Sequence, residues 1–230
     1  MGLLTIIRKS AHRERQLRLL FLGLDNSGKS TILKRLLHSP DWDRLSPTLG
    51  FDIVSLSHPP YTLNIWDIGG QRTLRPYWRN YFERTDALVW VVDSGDRTRM
   101  KECREELWEL MVREERLATC SLLVLANKQD LPGAMSSEEI REVLGLEELL
   151  RVRGGGEGRI LPCSAVKEMG YQEGLQWVVE DCEQRLYWSN AVDRHKKLEK
   201  AQEVAVQGET EDSLLAGERD ASAATAIPTS

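Results

Sequence analysis

The sequence predicts an α/β domain built on a mainly parallel, six-stranded sheet with one antiparallel edge strand and helices on both faces. Three observations carry that expectation. Short apolar runs alternate with helical patterns over most of the chain. Two of those runs, Ala87–Asp93 (ALVWVVD) and Ser121–Asn127 (SLLVLAN), are uniformly apolar, as in strands covered on both faces. FDIVSLS and YTLNIWD instead alternate with period two around His58-Pro59-Pro60, the pattern of an antiparallel hairpin.

Taken in order, Leu17–Gly23 (LRLLFLG) reads as a buried strand and Gly28–Leu37 as the helix that follows it. The hairpin comes next, then the two apolar strands and a weaker strand over Arg159–Ser164. Helical patterns cover Arg97–Arg116, Ser136–Leu144 and Gly170–Tyr187, and Ser136 with Glu139 has the spacing of a capping box. Arg153–Gly158 (RGGGEG) reads as a flexible surface loop. Beyond about Val192 the chain has no aromatic residue and is rich in Ala, Glu, Ser and Thr, so it buries little apolar surface. The expected organisation is an amphipathic N-terminal helix over 1–16, one domain over 17–190 and a disordered tail over 191–230.

The bulk numbers exclude several classes. Of 230 residues, 41% are apolar and 29% charged, an ordinary globular balance. The net charge is -5 and no long basic stripe appears, which argues against nucleic acid as a partner. Cys103, Cys120, Cys163 and Cys182 are widely spaced with no C-x-x-C pair, so buried free thiols are expected. No apolar run approaches the roughly 18–20 residues that span a bilayer. The opening MGLLTII stops at Arg8, too soon for a signal peptide, and a cytoplasmic location follows. The four histidines show no metal-ligand spacing.

Five motifs carry chemistry. GLDNSGKS fits G-x-x-x-x-G-K-[ST], after a strand and opening a helix, the setting that pattern requires. Its backbone over Gly23, Leu24, Asp25, Asn26, Ser27, Gly28, Lys29, Ser30 and Thr31 would wrap a phosphate chain. Lys29 would reach the β- and γ-phosphates and Ser30 would give a hydroxyl to Mg²⁺. In NKQD, after the second apolar strand, Asp130 can accept from both N1–H and the exocyclic amine of guanine, a pairing adenine cannot offer. Asn127 would bond another edge of the base and the Lys128 stem would lie over its face. In WDIGGQ, Asp67 suits Mg²⁺, Gly69 and Gly70 allow close approach to a γ-phosphate, and Gln71 can orient an attacking water. Thr48 in SPTLG offers a second hydroxyl to the metal. Ser164 and Ala165 in CSA would cover the base with backbone N–H groups.

The phosphate loop, PTLGF, WDIGGQ, NKQD and CSA occur in the order seen in small GTPases, which they resemble. GLDNSGKST, IWDIGGQ, RPYWRNYF and VVDSGDRTRM resemble the ADP-ribosylation-factor branch. LRLLFLGLDNSGKSTILK, SPTLGFDI, ANKQDLPGAMSSEEIREVL and CSAV look most like one ADP-ribosylation-factor-like group within it. The likeness covers about Met1–Tyr187; the tail has no matching counterpart and the RGGGEG loop looks longer than usual.

The resemblance implies a P-loop GTPase fold and a GTP/GDP switch using Mg²⁺, with Gln71 and Lys29 in catalysis. Thr48 and Gly70 would hold γ-phosphate and metal and let go after hydrolysis. The hairpin would slide in register as the N-terminal helix leaves its groove. No arginine is obviously placed to act in cis, although Arg72 and Arg75 are near, so slow hydrolysis is expected until a GTPase-activating protein supplies charge, with an exchange factor reloading GTP. Trp66, Trp78 and Tyr81 flank the WDIGGQ segment; they read either as core or, as the resemblance implies, as an effector surface. Carriers of prenylated or acylated cargo and a tubulin-folding cofactor are the implied partners. A monomer is implied, working in the cytoplasm with microtubule-organising or ciliary structures as further places.

The opening segment has two readings. Gly2 follows the initiator Met, but the acylation pattern wants Ser or Thr at position six, and Ile6 stands there with Thr5 one place early. Leu3, Ile6 and Ile7 share one helical face among basic residues, which suits a helix lying on membrane or one that docks on its own domain and is released; the resemblance, to proteins mostly unacylated and soluble, favours the second, with weak or transient membrane contact. The rival readings are an acylated membrane-traffic GTPase, a nucleotide-locked adaptor without turnover, and an ATP-using P-loop kinase or ATPase.

Overall fold

β1 begins at Gln16, where the sequence changes from charge to QLRLLFL, and runs to Leu22. The computed structural model describes residues 15–44, 46–154 and 156–185. The expected N-terminal helix and C-terminal tail lie outside them. Met1–Glu183 is one compact unit and Gln184–Ser230 a second.

After β1 come helix α1 (Lys29–Leu36) and the hairpin strands β2 (Phe51–His58) and β3 (Tyr61–Ile68). β4 (Ala87–Asp93), α2 (Met100–Arg113) and β5 (Ser121–Asn127) follow, then α3 (Ser137–Leu144), α4 (Leu146–Arg153) and β6 (Gly158–Pro162). A last helix, α5, covers 171–185. The sheet order is β2-β3-β1-β4-β5-β6. Only β2 is antiparallel to its neighbour, pairing Phe51 with Ile68 through to His58 with Tyr61, so it is the edge strand the period-two pattern predicts. β4 and β5 are buried on both sides, as their uniform apolarity requires.

Alternation along β5 assigns the two faces. Leu122, Val124 and Ala126 join Leu88, Trp90, Met100, Leu107 and Ile140 in one core. Leu123 and Leu125 point the other way, where a Cβ on Gly174 of α5 would come 2.9 and 3.1 Å from their side chains. Helices therefore cover both faces.

Two elements went unread in the sequence. α4 follows α3 after one residue, Gly145, whose left-handed φ of 63° ends α3 and starts α4. Residues Arg75–Tyr81 form a 3₁₀ turn that buries Trp78 edge-on against Trp90, 5.9 Å between centroids. Trp78 is 1% exposed, so of the two readings of these aromatics it takes the core one and does not join Trp66 and Tyr81 on a surface. All four cysteines are buried thiols outside any disulfide, as expected. Burial pushes Cys103 up to about 11 and Cys163 up to about 12, so both remain thiols.

The capping box is present in full: Ser136 Oγ accepts from Glu139 N–H and Glu139 Oε2 accepts from Ser136 N–H. Ser136→Ala should cost about 1 kcal/mol of unfolding free energy. Urea melts of the two proteins, read by far-UV circular dichroism, check the value.

Candidate functional site

In open α/β sheets, ligands sit beyond the carboxyl ends of the strands, where neighbouring connections diverge. Here β1 connects towards β3 while its neighbour β4 connects towards β5. The candidate residues gather at these ends: 23–31 after β1, 67–71 at the end of β3, 127–130 at the end of β5 and 164–165 after β6, with Thr48 in the loop before the antiparallel strand β2.

The phosphate loop leads into α1 through Gly28, whose φ of 94° is left-handed and whose missing side chain makes room for Asn127. A Cβ there would meet Asn127 Nδ2 at 2.2 Å. No side chain caps α1, so its first amides face outwards as an anion site needs. Lys29 is 5% exposed and its Nζ donates to the carbonyls of Gly23 at 3.0 Å and Leu24 at 2.9 Å. Burial pushes its ammonium down to about 8, although the Asp67 and Asp25 carboxylates pull the other way. A buried cation held by carbonyl oxygens beside free helix amides fits a polyphosphate.

Three oxygen groups meet next to it. Ser30 Oγ lies 2.8 Å from Thr48 Oγ1 and donates to Asp67 Oδ2 at 2.5 Å. Asp67 is buried, its carboxyl is raised by desolvation, and among the described residues its Oδ1 has no hydrogen-bond partner. An orphaned carboxylate oxygen beside two hydroxyls is a hard-oxygen donor set that fits Mg²⁺.

The chain that leaves β3 just past Asp67 carries Gly69, Gly70 and Gln71. Gly69 N–H donates to Gly50 O at 2.9 Å, and Trp78 Nε1 donates to Gly69 O at 2.9 Å. Gly70 packs on the phosphate loop itself; a Cβ there would meet Gly23 O at 2.4 Å and Asp25 N at 2.5 Å. Gln71, half-buried, starts the turn whose Leu74 N–H donates to its carbonyl at 2.8 Å.

At the far end, Asp130 Oδ1 accepts from Ser164 Oγ at 2.5 Å, leaving its other oxygen for a ligand. Lys128 Nζ is held by Asp93 Oδ2 at 2.7 Å. Asn127 differs from the sequence expectation in what it touches. Its Nδ2 donates to Ser27 O at 2.8 Å and its Oδ1 accepts from Ala165 N–H at 3.1 Å, clipping the phosphate loop to the base loop. The Ala165 N–H is thereby turned towards Asn127.

Sequence reasoning missed a network around Asp25. Arg75, 8% exposed, donates from Nε to Gly70 O at 3.0 Å and from Nη1 to Glu102 and Glu106 at 2.8 and 2.9 Å. Arg99 donates to Asp25 Oδ1 at 3.1 Å and to Asp96 Oδ2 at 2.6 Å. Apart from the local Asp96–Arg99 pair, no local pattern announces these contacts, since Glu102 and Glu106 lie 27 and 31 positions from Arg75 and Asp25 lies 74 from Arg99.

Comparison with known proteins decides the kinship. The ADP-ribosylation factor family profile matches residues 3–182. The chain belongs to the ADP-ribosylation factor family. It is 51% identical over 187 residues to ADP-ribosylation factor-like protein 2 of Drosophila melanogaster, covering 81% of this chain and 98% of that one. The Arabidopsis thaliana ADP-ribosylation factor-like protein 2 is 52% identical over the same shares of the two chains. Among solved structures, the Arl6 BBS3 small GTPase of Trypanosoma brucei with bound nucleotide analogue GppNp superposes with a TM-score of 0.66 at 28% identity, over 74% of this chain and 98% of its own. As a family member the chain is a small GTPase, a GTP hydrolase that binds GTP and GDP.

The depressed Lys29 gives a pH signature. The nucleotide-free fold binds fewer protons at this group than the unfolded chain between about 8 and 10.5. Its stability penalty is full below pH 8 and fades as pH rises through 10.5. Nucleotide binding has the opposite trend, because phosphates need the charged ammonium. The dissociation constant of a fluorescent GDP should be flat below about pH 8 and weaken by up to about tenfold per unit above it, and Lys29→Met should abolish that slope along with most of the affinity.

Proposed function

We propose that this GTPase is a switch in which Lys29 holds the β- and γ-phosphates, amides of residues 23–31 cradle the chain, and Ser30, Thr48 and Asp67 hold Mg²⁺. A bound metal would neutralise charge on the phosphate oxygens. Thr48 and Gly70 read the γ-phosphate. Gln71 orients the attacking water in line with the bond to the leaving diphosphate. Asp130 selects guanine through its twin donors, with Asn127, Lys128, Ser164 and Ala165 shaping the base pocket. The observation that carries this reading is the meeting of Ser30, Thr48 and Asp67 beside the buried Lys29, because it joins both switches to the phosphate loop.

Hydrolysis by the isolated chain is slow in this reading. Arg75, the nearest buried guanidinium, is already committed to Gly70 O and two glutamates. A GTPase-activating protein supplies the missing charge, and an exchange factor reloads GTP. The effector surface is the aromatic step of Phe51, Trp66 and Tyr81, with centroids 5.2–5.8 Å apart. Phe51 is 44% exposed and joins exposed Leu49 and Ile53 on the edge strand and the loop before it. Kinship with ADP-ribosylation factor-like protein 2 supports carriers of prenylated or acylated cargo and a tubulin-folding cofactor as the effectors, hence cargo release and microtubule biogenesis in the cytoplasm and at microtubule-organising or ciliary structures.

Two experiments test this. Asp130→Asn should weaken GDP binding on the order of a hundredfold while strengthening that of xanthosine diphosphate, because an amide cannot accept from both guanine donors; competition titrations read it. Gln71→Leu loaded with GTP should enrich lipid-cargo carriers and tubulin cofactors in pull-downs, and the GDP-loaded chain should not. Identical protein sets from the two states would defeat the pathway reading.

A further inference from the structure

Arg35 stands in the last turn of α1, and its four partners all lie elsewhere. Nε donates to Ala165 O at 3.1 Å, Nη2 to Val166 O at 3.1 Å and Nη1 to Glu168 Oε1 at 2.5 Å. Its guanidinium carbon lies 3.3 Å from the centroid of the Trp42 ring. Three partners belong to the loop after β6 that carries Ser164 and Ala165; the fourth sits between α1 and Thr48. The Arg35 side chain is 15% exposed.

One exposed ion pair would contribute little. A planar fork that meets two carbonyls and a carboxylate while stacking on an indole is a different matter, and lysine has no equivalent geometry. The loop it holds is unusual: Glu168 has a left-handed φ of 53°, and Ser164 and Met169 exchange backbone hydrogen bonds of 2.9 and 3.1 Å. Asn127 ties the same loop from inside through Ala165 N–H, and Arg35 ties it from the rim. α1 thus links two jobs over about 12 Å. Its first residues grip the phosphates, and its last turn holds down the loop beside the base.

We infer that Arg35 is a positioning residue for nucleotide retention, a latch that holds the 164–168 loop over the base and the Trp42 segment against it. Release of either nucleotide then requires this side chain to let go. The inference rests on the guanine-nucleotide site proposed above.

The test is the release of N-methylanthraniloyl-GDP from the full chain into excess unlabelled GDP. Arg35→Ala should speed release on the order of tenfold, the scale of losing several charge-assisted hydrogen bonds. Trp42→Ala should speed it less, and Arg35→Lys should restore only part of the wild-type rate. Single-turnover hydrolysis of prebound GTP should not follow the release rate, because the contacts of Arg35 lie on the base side of the phosphates. Trp42 and Glu168 lie in loops, so Trp42→Ala and Glu168→Gln carry the test if Arg35→Ala fails to fold. Wild-type protein that retains GDP, with variants releasing it within about twofold of its rate, overturns the latch alone. Wild-type protein that binds no guanine nucleotide overturns the latch and the proposed function together.

Discussion

The rest of the site is organised around one unfavourable fact: a buried ammonium that, among the described residues, has no carboxylate in contact. Lys29 is satisfied by the carbonyls of Gly23 and Leu24, which are dipoles and not charges. Its proton is correspondingly loose. A fold keeps such a group when a ligand supplies the missing charge. The surrounding features follow from that need. α1 presents uncapped amides, Gly28 clears the space for Asn127, and Asp67 keeps one oxygen unpaired.

The switch segments reach this charge through backbone, not through long side chains. Gly70 lies directly against Gly23 and Asp25, so a group seated there presses on both the phosphate loop and the end of β3. Gly69 is fixed on either side, by Gly50 O and by the Trp78 indole. Arg75 then carries the position of Gly70 to α2, since the same guanidinium bonds Gly70 O, Glu102 and Glu106. Asp25 lies 3.7 Å from Arg75 and 3.1 Å from Arg99 and so belongs to the same network. A displacement of Gly70 has a continuous, hydrogen-bonded route through Arg75 to α2.

Much of this was legible in the sequence, for physical reasons. β4 and β5 were readable because a strand covered on both faces must be apolar throughout, and β2–β3 because a half-covered hairpin must alternate. The phosphate loop was readable because its spacing is tied to a strand–turn–helix geometry that few sequences satisfy. Asn127 was placed correctly yet its contacts were not, since nothing in NKQD shows that Ser27, 100 positions away, lies within 2.8 Å. The same blindness hid Arg75 and Arg35. Their partners come from loops and helices brought close only by the sheet order, and single charged residues carry no period. Trp78 illustrates a third kind of miss. An aromatic in RPYWRNYF can face out or in, and only the 3₁₀ turn against Trp90 decides for the core.

The distribution of rigid and exposed parts explains how one pocket can be read from outside. Trp78 is sealed inside, so it transmits position without being a contact. Phe51, Trp66 and Tyr81 are its surface counterpart: Phe51 comes from β2, Trp66 from β3 and Tyr81 from the 3₁₀ turn. Arg18 of β1, with its guanidinium carbon 4.0 Å from the Trp66 ring, ties that step to the strand that feeds the phosphate loop. The aromatic step therefore draws two of its three rings from the paired strands β2 and β3, near the end of that pairing where Asp67 lies and Thr48 precedes β2. The rings are thereby joined through backbone pairing to the strand that carries Asp67.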